Sequence, residues 1–368
     1  MLGTGVSPSG PAFVSRQGSA RVLLVALLLA PLVPCVASAG DPVVPVPAPP
    51  ADARSEADTL RAAADALRPS LVHLTWVPAA RPEAGERRVG LVLGPGGHIV
   101  AAGPTAFEPG RWIARRDDGH SAEARVLGRD PETFLTVLAS PWASLPAASD
   151  DRFPEGGAAE GGADPRGRAV ALVGADDVLA LGAVRATERH LVVEVPGVGT
   201  STSTGLLEAA LAVLPEDVGA PWVDADGHVL ALTVAASSTP AEAPARPQPG
   251  PALGVPIGRA RLVASLIERY GSVPRAVLGV WTRPADSALR AHLGVQGGHL
   301  VVRMEPGGAA AKAGLQVHDL LVGLGGRALP EPTSLGDVLL EFRPGQRVNV
   351  RIVRQGEILE RELELAPR

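Results

Sequence analysis

Short apolar runs, each ended by glycine, proline or an Asp-Gly pair, follow one another from residue 71 to about residue 235. Glycine (43 residues) and proline (36) are abundant in this chain of 368 residues, while aromatic residues make up only 3%. Because Gly and Pro end regular elements and start turns, the pattern favours many short strands over long helices. The spacing predicts a β-barrel or a β-sandwich. The predicted strands are residues 71–76, 89–93, 98–101, 122–126, 135–138, 170–173, 191–195 and 229–234.

The charge and the absence of ligand-binding motifs exclude several classes of function. The 34 lysines and arginines are spread along a chain of net charge −5, so we expect no basic face and no nucleic-acid partner. The sequence contains no HExxH motif, no P-loop and no dinucleotide fingerprint, so we expect no metal site and no cofactor. Hydrophobic residues make up 46% of the chain, which is enough for packed cores, and the length suits two domains beyond a leader.

The first 39 residues have the layout of a secretory signal peptide. Arg16 and Arg21 precede an apolar run at residues 22–33, and the small residues 37–39 (Ala-Ser-Ala) follow it. The run is shorter than the roughly 20 residues that span a bilayer. We therefore expect an exported mature protein that begins near Gly40, in the periplasm or envelope of a bacterium. An uncleaved leader that anchors the protein to the membrane is the alternative.

Cys35 is the single cysteine and lies inside this leader. Lipidation at Cys35 is a second alternative, although Pro34 stands where a small residue normally precedes a lipidated cysteine. A mature chain without cysteine has no disulfide and no thiol nucleophile.

Two folded segments and several linkers follow the leader. Residues 40–52 form a proline-rich linker, and residues 155–162 and 237–251 have the composition of surface loops. Apolar residues at spacings of three and four predict amphipathic helices at 53–67 and 259–270. We place one domain at residues 53–272. Alternating strand and helix patterns then predict an independent α+β domain at residues 275–366.

The sequence Glu-Pro-Gly-Gly-Ala-Ala-Ala-Lys-Ala-Gly-Leu at residues 305–315 gives this second domain its signature. The segment Val-Leu-Gly-Val at 277–280 lies upstream, and His-Asp-Leu-Leu at 318–321 followed by Gly-Gly lies downstream. This order resembles a PDZ domain of the bacterial HtrA arrangement. The resemblance implies that loop 277–280 binds a peptide carboxylate, that the next strand pairs with the peptide, and that a helix at 334–342 forms the opposite wall. The implied peptide-binding residues are Val277, Leu278, Gly279, Val280, Trp281, Leu335 and Leu339.

The first domain resembles the protease domain of the HtrA/Deg serine proteases. Residues 128–138 (GRDPETFLTVL) are similar to the family segment GRDPxTDLAVL, and residues 214–223 (LPEDVGAPWV) are similar to NPGNSGGPLV. Residues 69–74, 90–101 and 254–257 resemble strands of the same domain. The resemblance implies a mainly β fold, in which a chymotrypsin-like double β-barrel is followed by an α+β PDZ domain.

All three positions of the family's catalytic triad differ in this chain. By resemblance the nucleophile falls on Val218, the aspartate on Phe134 and the histidine on Pro104. Acyl transfer needs a hydroxyl, an imidazole that takes its proton and a carboxylate that orients the imidazole, and these residues supply none of them. Glu216 also replaces a glycine of the oxyanion loop. We therefore expect no catalytic residue.

The sequence thus predicts an exported HtrA-like pseudoprotease. It would bind protein C-termini or unfolded segments through its PDZ domain, as an adaptor, sensor or regulator in envelope protein quality control. The family commonly assembles into oligomers, so partners include further copies of this chain or active HtrA relatives. The alternative is an active HtrA-type serine endopeptidase whose triad is placed differently.

Overall fold

The computed structural model describes residues 51–94, 96–103, 107, 109–116, 118–142, 145–153, 164–195, 198–236, 250–329 and 335–368. The predicted leader and the predicted loop at 155–162 lie outside these residues, and so do most of the proline-rich linker and of loop 237–251. The proline-rich linker predicted to reach residue 52 overlaps the start of the first helix, α1 (Ala51–Leu67).

Six antiparallel strands close into a first barrel. They are β1 (Leu71–Pro78), β2 (Glu86–Leu93), β3 (His98–Ala102), β4 (Gly110–Arg115), β5 (Ser121–Asp130) and β6 (Leu135–Ala139). Their order around the barrel is β1-β2-β3-β6-β5-β4. Trp76 on β1 and Trp112 on β4 fill the interior with ring centroids 5.3 Å apart. The alternation of apolar residues along these short strands places one face of each strand in this core.

A second barrel follows the same plan. Its strands are β7 (Ala169–Val173), β8 (Val178–Val195), β9 (Gly199–Val213), β10 (Pro221–Asp224), β11 (Val229–Ala236) and β12 (Gly250–Pro256). They close in the order β10-β11-β12-β9-β8-β7. Trp222 is fully buried, and its indole N–H donates a hydrogen bond of 2.9 Å to the Thr233 hydroxyl. The indole therefore buries its apolar surface without losing its polar partner.

Two helices pack against the barrels with the predicted apolar faces. On α1 the buried residues are Leu60, Ala64 and Leu67, at spacings of four and three. The second helix, α2 (Ile257–Tyr270), ends at Gly271, which adopts φ 75° and donates its N–H to Ile267 O. Glycine takes this left-handed conformation at no steric cost, so the helix ends there. Among the described residues, no helix is long and apolar enough to cross a bilayer.

The C-terminal domain combines short antiparallel strands with three short helices. Its elements are β13 (Ala276–Val277), β14 (Val280–Pro284), α3 (Ser287–Leu293), β15 (His299–Met304), α4 (Ala309–Lys312), β16 (Leu320–Leu324), β17 (Arg327–Ala328), α5 (Leu335–Leu339), β18 (Arg347–Arg354), β19 (Glu357–Glu364) and β20 (Ala366–Pro367). The main sheet has the order β14-β15-β16-β18-β19, and β17 pairs with β16. Strand β14 therefore forms an edge of this sheet.

Ion pairs join the C-terminal domain to the barrels. Arg259 on α2 pairs with Asp337 on α5, and both side chains are largely buried. Arg275 lies just before β13, and its guanidinium contacts both carboxylate oxygens of Asp130 at 2.7 Å. Arg343 follows α5 and bonds to the Tyr270 hydroxyl at the end of α2. These contacts attach the C-terminal domain to α2 and to the turn between β5 and β6.

The mainly β fold with two barrels and a C-terminal α+β domain is confirmed, but several elements differ from the predictions. Strands β4, β9 and β10 and helix α3 were not predicted. Residues 250–251 of the predicted loop belong to β12. The helix predicted at 334–342 is shorter, because α5 ends at Leu339 and a turn follows.

Candidate functional site

Val218 stands at the end of a tight turn where the two barrels meet. The 3-10 turn Pro215–Asp217 precedes it, and the Leu214 N–H donates to the Asp217 carboxylate at 2.8 Å. The carbonyl of Val218 accepts a hydrogen bond of 3.1 Å from the N–H of Val89 on β2. The turn of the second barrel is thereby fixed to a strand of the first. Burial raises the pKa of Asp217, although the bond from Leu214 acts in the opposite direction.

Gly219 shows why the chain passes so closely between the barrels. Its φ is 96°, and a Cβ at this position would lie 2.0 Å from the carbonyl oxygen of Val89. Only glycine fits a site that combines a positive φ with backbone this near. The Gly219 N–H donates to Thr233 O at 2.8 Å, so the segment is held from both sides.

Phe134 lies in the turn between β5 and β6 with an unusual backbone. Its φ is 58° and its side chain is fully buried. Positive φ is uncommon for a bulky residue, whereas Asp and Asn enter this region several times more often. The backbone at position 134 therefore has a conformation that suits an aspartate better than the phenylalanine it carries.

The structure brings Gly103, Phe134 and Val218 close together. The Gly103 N–H at the end of β3 donates to Phe134 O at 2.9 Å. A Cβ built on Gly103 would lie 3.1 Å from Cγ1 of Val218. Gly103 immediately precedes Pro104, which lies outside the described residues. Three separate chain segments thus converge at one place, which we call the barrel cleft and define by Gly103, Phe134 and Val218.

An arginine that the sequence analysis did not single out lies in the barrel cleft. Nε of Arg88 on β2 is 3.2 Å from the position of a Cβ on Gly103, and its Nη1 donates to Pro215 O at 3.2 Å. Arg88 is 8% exposed and pairs with Glu86. Burial lowers the pKa of Arg88, and the nearby Glu86 and Glu216 partly offset this. The only sequence signal was a pair of arginines at the start of an otherwise apolar strand.

The chemistry available from these residues does not include acyl transfer. Val218 carries no nucleophilic atom, and Phe134 cannot accept a hydrogen bond from an imidazole. Arg88 keeps its proton and has only donors, so it cannot act as a general base. Among Gly103, Phe134, Val218 and Arg88, none can take a proton from a nucleophile.

Four histidines that could have formed a displaced triad are paired with carboxylates instead. His73 contacts Asp176 at 2.9 Å, and His98 contacts Glu268 at 3.5 Å. The other two pairs are His120 with Asp118 and His228 with Asp224. None of these pairs includes a residue of the barrel cleft. Ser201 on β9 donates its hydroxyl to Pro131 O at 2.6 Å.

Asp224, Asp226 and His228 offer ligand atoms within 4.8 Å of one another. Asp224 is already occupied, because Arg168 contacts it at 2.9 Å and the N–H groups of Asp226 and His228 donate to it at 3.0 and 2.8 Å. The cluster therefore closes the hairpin between β10 and β11.

In the C-terminal domain, the loop before β14 directs backbone N–H groups outward. The carbonyls of Leu278 and Gly279 accept bonds of 2.9 and 2.8 Å from the N–H groups of Ala310 and Glu305. In a trans peptide the N–H points opposite to the carbonyl, so the N–H groups of Gly279 and Val280 point away from these partners. Gly279 has a φ of 73°, which permits this turn.

The backbone of β14 continues this arrangement along the edge. Val280 and Met304 lie directly opposite each other in the ladder, and the hydrogen bond from Glu305 N–H to Gly279 O joins the residues just beyond them. Val280 and Met304 therefore form a non-hydrogen-bonded pair. The N–H and C=O of Val280 therefore face the free edge of the sheet. Among the described strands, none pairs with this edge.

The side chains predicted to bind peptide differ in their burial and contacts. Leu278 and Leu335 are buried in the domain core, while Leu339 and Val280 are partly buried against it. Val277 pairs with Ala366 on β20. Trp281 is 46% exposed. The structure therefore places the loop, the edge strand and α5 in one domain, with Trp281 as the most exposed of these side chains.

Comparisons with known proteins identify the domain and the architecture. A family model described as PDZ domain matches residues 276–365. A protein of Chlamydia muridarum named probable periplasmic serine endoprotease DegP-like is 25% identical over 289 residues, which cover 77% of this chain and 54% of that protein. The protein of the same name from Brucella suis biovar 1 is 24% identical over 300 residues, covering 78% and 55%. The chain thus spans about half the length of these curated relatives.

Solved structures of HtrA-type proteases have the same fold. The protease AlgW with a tripeptide matches with a TM-score of 0.60 and 22% identity, covering 84% of this chain and 97% of that one. The serine endoprotease from Yersinia pestis matches with a TM-score of 0.53 and 19% identity, covering 83% and 97%.

Proposed function

Because the chain joins a PDZ domain to the two-barrel fold of the HtrA-type proteases, we propose that it is an exported pseudoprotease that binds protein C-termini without cleaving them. One observation carries the proposal. Where the resemblance places the catalytic triad, the described residues are Gly103, Phe134 and Val218, with the guanidinium of Arg88 beside Gly103. None of these four residues supplies a nucleophile or a general base.

Binding of a peptide C-terminus is supported by the geometry of the β14 edge. Outward N–H groups at Gly279 and Val280 form a concave set of donors of the kind that holds carboxylates. The unpaired edge of β14 offers the backbone groups that β-augmentation uses. The barrels keep their packed cores without the triad, because core residues carry the fold.

Placement in the bacterial envelope and a role in protein quality control belong to the same proposal. The leader pattern at residues 1–39 and the word periplasmic in the names of the relatives support export. A regulator that assembles with an active HtrA relative is one form of this role. Purification of the native protein tests that form, because recovery of the chain without such a relative would remove it.

A working serine endopeptidase is the second candidate, because the similar proteins are named as serine endoproteases. It requires a nucleophile and base outside the barrel cleft. Incubation of the purified protein with casein and with a fluorophosphonate probe separates the two candidates, because only a working endopeptidase cleaves casein and is labelled.

Peptide binding is tested by fluorescence polarisation with labelled peptides that end in Val, Leu, Ile or Phe. Each peptide is used with a free C-terminal carboxylate and as the C-terminal amide. We expect the carboxylate form to bind at least about 10-fold more tightly, because the amide cannot satisfy the outward N–H groups as a charged acceptor does. Equal affinity of both forms would contradict the proposed groove.

A pair of glycine variants supplies the control. Gly279→Ala adds a Cβ 3.2 Å from Glu305 Oε2 at a positive φ, so it distorts the loop and should abolish binding. Gly294→Ala also lies at a positive φ, 65°, but its Cβ meets nothing within 4 Å. We expect Gly294→Ala to bind as the parent does.

A further inference from the structure

Two exposed side chains, Trp281 and Arg303, lie beside the peptide-binding edge. Trp281 is on β14 and Arg303 is on β15, directly opposite in the ladder. The guanidinium carbon of Arg303 lies 3.6 Å from the centroid of the Trp281 ring. This is a close cation–π contact, and it places the guanidinium over the indole ring. We call these two residues the Trp281–Arg303 pair.

The ladder places this pair on the face of the sheet opposite to the domain core. Val280 and Met304 form the neighbouring pair, and both pack against the core cluster that contains Leu335 and Val338. Because successive side chains of a strand point to opposite faces, Trp281 points away from that core. The register then shifts, since Thr282 pairs with Val301 and Val302 is the extra residue.

This bulge keeps the pair at the surface. A bulge lets two residues on one strand oppose one on the other and redirects the side chains beside it. Val301 is fully buried, while Val302 is 45% exposed. Arg303 therefore lies in a short exposed stretch, next to the edge that a peptide would extend.

A peptide that adds to β14 must run antiparallel with its carboxylate at loop 277–280. Its last residue, position 0, then lies opposite Val280, and its penultimate residue, position −1, lies opposite Trp281. Residues directly opposite each other in a ladder share one face of the sheet. The side chain at −1 therefore meets the Trp281–Arg303 pair, while the side chain at 0 faces the core side with Leu339.

The charge of Arg303 determines what this position prefers. Stacking on the indole fixes the plane of the guanidinium and leaves its N–H edge available for a planar partner. Among the described residues, no carboxylate lies within ion-pair distance of Arg303, whereas its neighbour on the same edge, Arg283, pairs with Asp286 at 3.4 Å. A carboxylate is the acceptor that matches a guanidinium edge with two parallel hydrogen bonds.

We propose that the Trp281–Arg303 pair selects peptides with Asp or Glu at the penultimate position. The inference rests on the proposed binding of C-termini and names the class of C-terminus that is bound. The carboxylate of the residue at −1 accepts hydrogen bonds from the edge of Arg303, and its methylene group packs beside Trp281.

The test uses peptide pools that differ only at −1. Each pool carries Val, Leu, Ile and Phe mixed at position 0 with a free carboxylate, and has Glu, Gln or Lys at −1. Affinity for the purified full chain is measured by competition in fluorescence polarisation at low and at 0.5 M salt. We expect the Glu pool to bind about 3- to 10-fold more tightly than the Gln pool at low salt, and the Lys pool to bind most weakly. Salt should reduce the difference.

Charge variants assign the preference to Arg303. Arg303→Gln should remove the preference for Glu over Gln, and Arg303→Glu should reverse the order in favour of Lys. Arg283→Gln is the matched control, because it removes a positive charge from β14 two residues beyond Trp281 and should leave the order intact.

The outcomes separate this inference from the proposed function. Equal binding of the Glu, Gln and Lys pools overturns the inference and leaves the binding of C-termini standing. A preference that persists in Arg303→Gln overturns it as well. Failure of every free-carboxylate pool to bind removes the proposed function, and the inference with it.

Discussion

Gly219 has a positive φ and lies against Val89 O, so the chain beside Val218 packs closely on the other barrel. Phe134 adopts a φ that Asp tolerates better. The backbone requirements of this site belong to the packing between the barrels.

Asp217 gives a pH-dependent prediction at the same turn. Burial raises its pKa in the folded state, so the charged form is disfavoured there and its ionisation near neutral pH opposes folding. Asp217→Asn keeps an oxygen that accepts the Leu214 N–H but carries no charge. We therefore expect Asp217→Asn to unfold at a higher urea concentration than the parent at pH 7.

The sign of the pH dependence follows from the raised pKa. As pH falls through that pKa, the parent protonates Asp217 and recovers stability relative to the variant, so the difference in urea midpoint shrinks. Asp58→Asn on α1 is the control, because it removes the same charge from a side chain that is 77% exposed. A constant or growing advantage of Asp217→Asn towards low pH would show that burial of this charge is not the cause.

At the scale of elements, α2 and α5 hold the PDZ domain against the barrels. Arg259 is 8% exposed; it bonds to Thr204 O on β9 and pairs with Asp337 on α5. Removing one partner of a buried pair leaves the other charge without compensation, at a cost of about 3–5 kcal/mol. An exposed pair contributes only about 0–1 kcal/mol.

Arg259→Gln should therefore lower the free energy of unfolding by several kcal/mol and increase hydrogen exchange in α5. Arg283→Gln, which breaks the exposed pair with Asp286, should change stability by less than about 1 kcal/mol. For each variant, urea unfolding measures the free energy of unfolding and mass spectrometry measures hydrogen exchange in α5. Similar small effects for the two variants would show that Arg259 and Asp337 do not fasten the domain.

Most strands could be predicted because their apolar residues alternate or run together, as in β3 and β6. Strand β9 was not predicted. Its first residues, 199–204, read Gly-Thr-Ser-Thr-Ser-Thr and carry no apolar signal. The buried residues of this stretch are Ser201 and Ser203, and Ser201 is satisfied by Pro131 O from the other barrel. Such a strand is specified by a partner distant in sequence, which periodicity does not record.

In the molecule as a whole, the barrel cleft joins segments that are distant in sequence, so only some of its residues could be predicted. Phe134 and Val218 lie in contiguous motifs, so their positions could be inferred from the sequence, and the structure brings their segments together through Gly103. Arg88 was missed because its role depends on β2 approaching the turn at Pro215 from the other barrel. No local pattern encodes that approach.

The most direct test of the proposed pseudoprotease is whether the purified protein hydrolyses casein at high concentration. Casein is incubated with the chain and its fragments are identified by mass spectrometry, with a fluorophosphonate probe in a parallel reaction and an active HtrA-type protease as the positive control. We expect no fragments and no probe on the 37.6 kDa chain. Probe attached to a residue of this chain, together with cleavage that the probe blocks, would reveal a nucleophile outside the barrel cleft and contradict the assignment of a pseudoprotease.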